Sequence, residues 1–391
     1  MTVTTVEGTA AAGFEQVVAA FEGNFRDRGD RGAAFAAYVD GRPVVDVWGG
    51  MADRAAGRPW ARDTIAGIFS GTKGLVATCV LMLVERGLLE LDAPVCRYWP
   101  EFAAEGKERI LVRHVVSHQA GLPGLTTPVS CEEAGDDVRM AQLLAAQPPL
   151  WEPGSRLCYH ALTFGWLCGE LVRRVDGRSV GRFLAEEVAG PLRLDAWIGL
   201  PEREEPRVAL LERGEGFGAQ RREQQDGPDG DPVAWSIYGN PPRFTSDPLP
   251  VNTRAWRAAE IPGSSGVASA ASLARLYGCL ARGGELDGVR LLSPKALERG
   301  RERLSHGIDP YLATPMAFGT AFLLQTEAQP LGPAAVAFGH TGAGGSVHGA
   351  WPELRTGFSY ISTTLQDLQG PDPRPAALLE ALHDALGASR A

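Results

Sequence analysis

Apolar residues are spaced with a helical period early in the chain and with a strand-like pattern soon afterwards. In residues 14–25 they recur every three or four positions, which predicts an amphipathic helix. Two short apolar runs at 34–39 and 43–48 then flank Asp40-Gly41, a dipeptide that readily adopts the positive φ angles of a tight turn. The pattern therefore predicts a helix followed by a β-hairpin.

The middle of the chain has helical character. Three stretches there have helical apolar spacing and stop at a glycine, the residue that most often ends a helix. They cover residues 70–85 before Gly87, 162–175 before Gly177, and 180–188 before Gly190.

Residues 201–262 are crowded with proline, glycine and charged residues, which predicts long loops. Large aromatic side chains interrupt this segment, and they either cover a pocket or pack locally. These aromatic residues are Trp235, Tyr238, Phe244 and Trp256.

Strand character returns after a further predicted helix at 271–282. The predicted strands are 318–325, 335–339, 347–351 and 357–363, and a closing helix covers 376–386. Strands at both ends with helices between them predict an α/β (α+β) fold, with one antiparallel sheet built from the two termini and a helical domain inserted. We expect a sheet domain at 1–62 and 260–391, a helical and loop-rich domain at 63–259, and a cleft between them.

Composition and charge narrow the class of protein. Of the 391 residues, 44% are hydrophobic and 22% charged, as in an ordinary soluble globular protein. The net charge of −9 is spread along the chain without a basic block, which argues against nucleic acid or an anionic membrane as a partner.

Several features predict a cytoplasmic location. The first residues carry no positively charged segment, and Glu7 and Glu15 precede any apolar run of signal-peptide length. The longest apolar run, 75–84, is about half of what a membrane span needs. The six cysteines include no Cys-x-x-Cys pair, so we expect free, mostly buried thiols.

Candidate chemistry lies where the first central helix begins. Ser70 stands at the predicted start of that helix, and Lys73 follows one turn later on the same face. A serine hydroxyl becomes a nucleophile when a neighbouring base takes its proton, and a desolvated lysine can be that base. The free N–H groups at the helix start also favour an oxyanion forming nearby.

Ser-x-x-Lys alone is a short pattern, so its chance occurrence matters. With three lysines and 17 serines in 391 positions, it arises by accident about one time in eight. The other basic positions are arginine, which cannot act as a base because it stays protonated. A lysine at position 73 therefore fits proton transfer better than charge alone, although a helix cap followed by a solvated lysine is the alternative.

Further motifs give the chain a family resemblance that runs from about residue 15 to 385. The matching stretches are Trp48-Gly49-Gly50, Ser70-Gly71-Thr72-Lys73, 85–95, 116–123, Trp151-Glu152-Pro153-Gly154 and 338–345. Together they resemble the serine β-lactamase-related superfamily, and more closely the family VIII carboxylesterases, which are class C β-lactamase-like esterases. This resemblance implies a β-lactamase/penicillin-binding-protein-like fold with the active site in the cleft.

The resemblance also implies roles for individual residues. Tyr159 opens the second motif, and with Lys73 it would deprotonate Ser70 and later protonate the leaving alcohol. The third motif of the family, on an edge strand, matches His340-Thr341-Gly342. The backbone N–H groups of Ser70 and Ala343 would form the oxyanion hole.

One tryptophan has an implied role at the substrate. Trp351 matches a position that lines the acyl pocket in related esterases, and a buried core tryptophan is the alternative reading. No metal or other cofactor is expected.

Two departures from the family pattern bear on the substrate. Ala161 replaces the asparagine of Tyr-x-Asn, so no side chain there can hydrogen-bond an acylamino group. His340 replaces the lysine that would pair with a β-lactam or peptide carboxylate. Both changes favour esters over penicillins or D-peptides.

Three further patterns are those of a metal site, a phosphate-binding loop and a nucleophile elbow, and none of them is favoured. His114 and His118 have the i, i+4 spacing of metal ligands on a helix, but no third ligand is evident, and loop-organising histidines are the better interpretation. Residues 342–346 lack the spacing of a phosphate-binding loop and are interpreted as a strand-turn-strand. No Gly-x-Ser-x-Gly motif occurs, which removes the nucleophile elbow of the α/β-hydrolases.

The sequence therefore predicts a serine hydrolase that cleaves small or medium carboxylic esters through an acyl-Ser70 intermediate. Its expected partner is a small-molecule ester. The sequence leaves open whether the protein forms a homo-oligomer. One alternative is an acyltransferase that passes the acyl group to an alcohol or amine. A β-lactamase, a D-amino-acid peptidase and a non-catalytic binding protein are less favoured alternatives.

Overall fold

A ten-stranded sheet forms the central layer of the computed structural model, which describes residues 4–215, 217–218, 230–328, 331–367 and 370–388. Nine of its strands are, in chain order, β1 Val6–Ala10, β2 Gly32–Val39, β3 Arg42–Asp53, β4 Ser305–Asp309, β5 Thr314–Phe318, β6 Leu323–Leu324, β7 Phe338–Thr341, β8 Val347–Trp351 and β9 Thr356–Ser362. They follow the order β1-β3-β2-β9-β8-β7-β6-β5-β4, and Arg58–Pro59 pairs with β3.

Both ends of the chain contribute to the centre of this sheet. The hairpin β2–β3 turns at Asp40 and Gly41, which have φ angles of 50° and 80°. Its strand β2 then pairs antiparallel with β9, so that Phe35 lies opposite Tyr360. The mixed α/β fold with an antiparallel sheet built from both termini is confirmed.

Helices cover both faces of the sheet and fill the middle of the chain. The longer ones are α1 Glu15–Asp27, α2 Thr72–Glu85, α3 Asp137–Ala146, α4 Thr163–Asp176, α5 Ala270–Ala281, α6 Pro294–Arg301 and α7 Pro373–Ala388. Shorter helices are Val112–Val116, Val180–Leu184, Gly190–Leu192, Pro232–Ala234 and Arg254–Ala258.

Alternation along the strands sorts side chains between two apolar cores. On β2, Phe35 and Ala37 join the core under α1 and α7, whereas Ala34 and Ala36 join the core that contains α2 and α5. This alternation follows from the two-residue repeat of an extended strand. It also decides which residues of the neighbouring strands can reach α2 and the Ser70 turn that precedes it.

Several predicted boundaries need correction. The predicted strand 318–325 is two strands, because the chain turns between Phe318 and Leu323 and the two residues pair with each other. The strand predicted at 335–339 is displaced to Phe338–Thr341. The helix predicted at 180–188 keeps α-helical hydrogen bonding only to Leu184 and continues as a wider π-helical turn.

The predicted loop segment 201–262 contains short helical turns and only brief strand pairing within its described part. Its aromatic residues are buried at different places: Phe244 and Trp256 join the main core, and Tyr238 packs with a small cluster around Tyr159. Residues 216 and 219–229 of this predicted segment lie outside the described residues.

The six cysteines are free thiols, and four of them are buried, as predicted. None of the described helices combines the length and apolar composition needed to cross a membrane.

Candidate active site

Ser70 lies in a tight turn that leads directly into α2. The residue before it, Phe69, has a φ of 45°, a left-handed conformation that an L side chain adopts only at a cost. The turn is fixed from both sides, since the Ile68 N–H donates to the Gly266 carbonyl and the Gly266 N–H donates to the Thr72 hydroxyl, 2.8 Å away. The strained backbone therefore holds Ser70 in one position.

Lys73 reaches Ser70 from the first turn of α2, as its spacing predicts. Its Nζ lies 3.1 Å from Ser70 Oγ and donates to the carbonyls of Ala161 and Gly263 at 2.7 and 2.8 Å. The side chain is completely buried. Burial, and secondarily the positive charge of Arg243, holds the pKa of the Lys73 ammonium well below its usual range.

Tyr159 is the third member of this cluster. Its ring centroid lies 4.8 Å from Lys73 Nζ, and its hydroxyl hydrogen-bonds with Ser70. Burial raises the pKa of the Tyr159 phenol, while the bond to Ser70 and the charge of Arg243 oppose the rise. Ser70, Lys73 and Tyr159 are thus brought together.

His340 borders the same cluster from the sheet. Its ring centroid lies 6.1 Å from that of Tyr159, and its Nδ1–H donates to the Thr341 carbonyl at 2.7 Å. Nδ1 therefore carries the proton, and the lone pair of Nε2 has no partner among the described residues. Burial is the main cause that lowers the pKa of His340 to about 3, so its ring is neutral.

Strand β7 is an edge strand only in part, which corrects the prediction. Phe338 and Gly339 pair with β6, whereas His340 and Thr341 extend beyond that two-residue strand and pair on one side only. The chain then turns at Gly342, where a Cβ atom would lie 2.4 Å from the Ile68 carbonyl. The turn that continues through Ala343 therefore passes directly beside the Ser70 turn.

A buried ion-pair network supports this turn from behind. The Arg374 guanidinium of α7 donates to the Gly344 carbonyl at 2.7 Å and pairs with Asp30 and Asp372 at 3.1 and 2.6 Å. Arg374 and Asp30 are inaccessible to solvent at their side chains. The last helix of the described chain thus holds the backbone next to Ala343.

Trp351 does not lie at this cluster. It is completely buried in the core under α1 and α7, where its indole N–H donates to the Leu331 carbonyl at 2.6 Å. His348, three residues earlier on β8, packs its ring against Gly71 on the Ser70 side of the sheet. The alternation of the strand therefore places Trp351 on the opposite face, and its implied pocket role is wrong.

His114 and His118 do not share a helical face, because the short helix ends at Val116 and His118 has a φ of 62°. His114 Nδ1 accepts the Leu111 N–H, whereas the His118 ring is buried beside Tyr159. The described residues contain no group of three side chains suited to hold a metal ion.

Sequence reasoning missed two charged residues near the cluster. Asp309, completely buried, accepts the backbone N–H of Tyr159 at 2.5 Å. Arg243, almost fully buried, lies over the Phe244 ring, which in turn packs on Phe69. Both residues are far from Ser70 along the chain, and no local motif marks either of them.

A lysine and a tyrosine beside a serine at the start of a helix, next to a sheet strand, form the arrangement expected of a serine hydrolase. The model of the Beta-lactamase family matches residues 18–383 of this chain. The chain therefore belongs to the β-lactamase family.

Three relatives show how close the likeness is. Esterase/beta-lactamase LipL of Mycobacterium tuberculosis is 38% identical over 378 residues, which cover 92% of this chain and 83% of that protein. The crystal structure of a family VIII carboxylesterase has a TM-score of 0.89 at 37% identity and covers 97% of this chain and 100% of its own. A penicillin-binding protein homolog from Caulobacter crescentus has a TM-score of 0.88 at 36% identity, with coverages of 97% and 100%.

Proposed function

We propose that the protein is a carboxylesterase-type serine hydrolase that cleaves small or medium esters through an acyl-Ser70 intermediate. The observation that carries the proposal is the hydrogen bonding of Lys73. A neutral amine has two N–H groups and one lone pair, and two carbonyls, of Ala161 and Gly263, take the two N–H groups. The lone pair is then left for the Ser70 hydroxyl, 3.1 Å away.

Burial favours the neutral form of both Lys73 and Tyr159. In acylation, the Ser70 proton moves to Lys73 Nζ while Oγ bonds to the ester carbonyl carbon. The N–H groups of Ser70 and Ala343 would stabilise the resulting oxyanion. As the bond to the alcohol oxygen breaks, Tyr159 gives its proton to that oxygen and recovers one through the Lys73 ammonium.

The residues around Ser70 support an uncharged ester as the substrate. His340 is a neutral ring whose Nε2 accepts hydrogen bonds, so it gives no fixed positive charge to a substrate carboxylate. Ala161 contributes only its carbonyl, which Lys73 occupies. A β-lactam or a D-peptide would miss both contacts that the family pattern normally supplies.

The same acyl-enzyme serves an acyltransferase if an alcohol or amine replaces water as the acceptor. Ile237 and Tyr238 belong to the same buried apolar cluster as Tyr159, and we propose that this segment borders the path of the acceptor. Hydrolysis and transfer are distinguished by the products formed in the presence of a primary alcohol. We also propose a cytoplasmic location, which the free state of all six cysteines supports.

The decisive experiment compares a short-chain p-nitrophenyl ester with a chromogenic cephalosporin. We expect faster turnover of the ester, an acyl adduct on Ser70 by mass spectrometry, and a loss of about 10⁴-fold or more in Ser70→Ala. Ser155→Ala, at an exposed serine, is the matched control and should keep wild-type rates. Ester turnover unchanged in Ser70→Ala would refute the nucleophile, and a faster cephalosporin reaction would favour a β-lactamase.

A further inference from the structure

Three consecutive backbone N–H groups around Tyr159 are bound by buried acceptors that belong to distant parts of the chain. The Cys158 N–H donates to the His118 carbonyl at 3.0 Å, and the His160 N–H donates to the His118 ring Nδ1 at 3.0 Å. Between them, the Tyr159 N–H donates to the Asp309 carboxylate at 2.5 Å. Two residues from distant parts of the chain, His118 and Asp309, therefore hold this short segment.

Asp309 is anchored independently of Tyr159. Its second carboxylate oxygen accepts the N–H groups of Tyr311 and Leu312 at 2.9 and 2.7 Å. The side chain is completely buried at the end of β4 and has no basic side chain within salt-bridge distance among the described residues. A buried carboxylate is costly unless it is hydrogen-bonded, and here backbone N–H groups supply those bonds.

His118 is also held in an unusual state. Its φ of 62° is a left-handed conformation that costs a non-glycine residue energy. Because Nδ1 accepts a hydrogen bond, the neutral ring carries its proton on Nε2. Burial keeps the pKa of the ring well below its usual range, so the acceptor at Nδ1 persists.

The His118 ring also contacts the Tyr159 ring, with centroids 4.9 Å apart. It also stacks on Phe164, with centroids 5.0 Å apart, and the Phe318 ring lies 4.2 Å from it. One residue therefore fixes both the backbone and the ring plane of Tyr159.

We propose that Asp309 and His118 are positioning residues that hold Tyr159 where its hydroxyl can protonate the leaving alcohol. This inference rests on the proposed function, because it assigns that proton transfer to Tyr159. An error of about 1 Å in a reacting group can cost about 100-fold in rate. Two separate anchors on one short segment limit such an error, and both anchors are completely buried.

The test uses the dependence of the rate on the leaving group. p-Nitrophenolate is a stable anion that leaves without a proton, whereas ethoxide needs one. We therefore expect Asp309→Asn to lower kcat/KM by about 10- to 100-fold for an ethyl ester and by less than about threefold for the p-nitrophenyl ester of the same acid. Asp136→Asn, at a carboxylate that caps α3 through the Arg139 N–H, should change neither rate.

Tyr159→Phe provides the reference for this leaving-group pattern. The double variant Asp309→Asn/Tyr159→Phe should be no slower on the ethyl ester than Tyr159→Phe alone, because both changes remove the same proton transfer. If Asp309→Asn slows both esters equally, or if its effect adds to that of Tyr159→Phe, the positioning role is overturned. If Tyr159→Phe itself shows no leaving-group dependence, the proposed role of Tyr159 fails instead.

A second pair of variants tests the positioning role of His118. This pair also keeps the proposal testable if Asp309→Asn does not fold. His118→Asn keeps an acceptor at the same branch of the side chain and tolerates the left-handed φ, whereas His118→Leu removes the acceptor. Both lose ring packing, so both should melt at lower temperature than the wild type. Only His118→Leu should lose kcat/KM selectively on the ethyl ester. If the ratio of kcat/KM for the ethyl ester to that for the p-nitrophenyl ester is equal in the two variants, the positioning role of His118 is overturned.

Discussion

Lys73 and Lys107 are two completely buried lysines with nearly the same hydrogen bonds. Lys73 Nζ donates to two carbonyls at 2.7 and 2.8 Å, and Lys107 Nζ donates to the carbonyls of Ala104 and Gln147 at 2.7 and 2.6 Å. Each ammonium also lies near an aromatic ring, Tyr159 for the first and Phe102 for the second. Burial and carbonyl contacts alone therefore do not make a lysine a base.

The two sites differ in their charged neighbours and in the third contact. Burial lowers the pKa of both lysines, but Glu105 and Glu108 partly restore the pKa of Lys107, whereas the charge of Arg243 lowers that of Lys73 further. Lys73 also reaches the Ser70 hydroxyl. A nearby cation that disfavours the charge of Lys73, and a hydroxyl within its reach, are therefore the two features that support its proposed role as a base.

The largest expected effect is on activity. Lys73→Arg keeps a positive charge and hydrogen-bond donors but cannot accept the Ser70 proton, so kcat/KM for an ester should fall by about 10²- to 10⁴-fold. Circular dichroism should show a folded protein. Lys107→Arg is the matched control and should stay within about threefold of the wild-type rate, as expected for a residue that touches no reacting group. Equal losses of kcat/KM in Lys73→Arg and Lys107→Arg would contradict a specific role of Lys73 in proton transfer.

A smaller effect is expected on stability. Lys107→Met leaves the carbonyls of Ala104 and Gln147 without their donor, which should lower the free energy of unfolding by about 1–3 kcal/mol. Urea denaturation measures this change, and ester turnover at a temperature below unfolding should be unaffected. Lys295→Met, at an exposed lysine, should change stability by less than about 0.5 kcal/mol. A loss of turnover in folded Lys107→Met would contradict its purely structural role.

The smallest effect is on pH dependence. In the proposed mechanism only neutral Lys73 accepts the Ser70 proton, so we expect the acid limb of the pH profile of kcat/KM to follow the ionisation of Lys73. Removing the positive charge in Arg243→Gln makes the Lys73 ammonium easier to form, raises its pKa, and moves the acid limb to higher pH. Arg243→Lys keeps a charge and should move the limb less. A limb that stays in place in Arg243→Gln would show that burial alone keeps Lys73 neutral.

The sequence predicted that Ser70, Lys73 and Tyr159 lie close together, because each belongs to a short motif. Their catalytic roles stay a prediction. Ser70 in the turn before α2 and Lys73 in the first turn of α2 are three residues apart, so their contact is fixed locally. The family resemblance supplied Tyr159 and His340. The helix ends at Gly87 and Gly177 were also predictable from residues next to them, and both glycines have the expected positive φ. The division of the chain at residues 62 and 260 stays a prediction.

The residues that surround the reacting groups could not be predicted because their contacts span long stretches of chain. Asp309 is 150 positions from Tyr159, and its surroundings show only a turn-forming Asp-Pro pair. Trp351 was placed wrongly because the resemblance gave its position in the sequence without the face of β8 on which it lies. The face of the sheet on which a side chain of β8 lies depends on the register of β8 against β7 and β9. Only the assembled sheet defines that register.

The buried Arg374 network joins the two ends of the chain behind the proposed active site. Arg374 donates to the carbonyl of Gly344, which precedes it by 30 positions. It also binds Asp30, which precedes it by 344 positions. During synthesis, Ser70 and Lys73 emerge from the ribosome long before β7, the turn at Gly342 and α7 exist. We therefore expect a nascent chain to carry Ser70 and Lys73, the proposed nucleophile and base, before the turn proposed to bind the oxyanion exists, and we expect esterase activity only when the last helix docks.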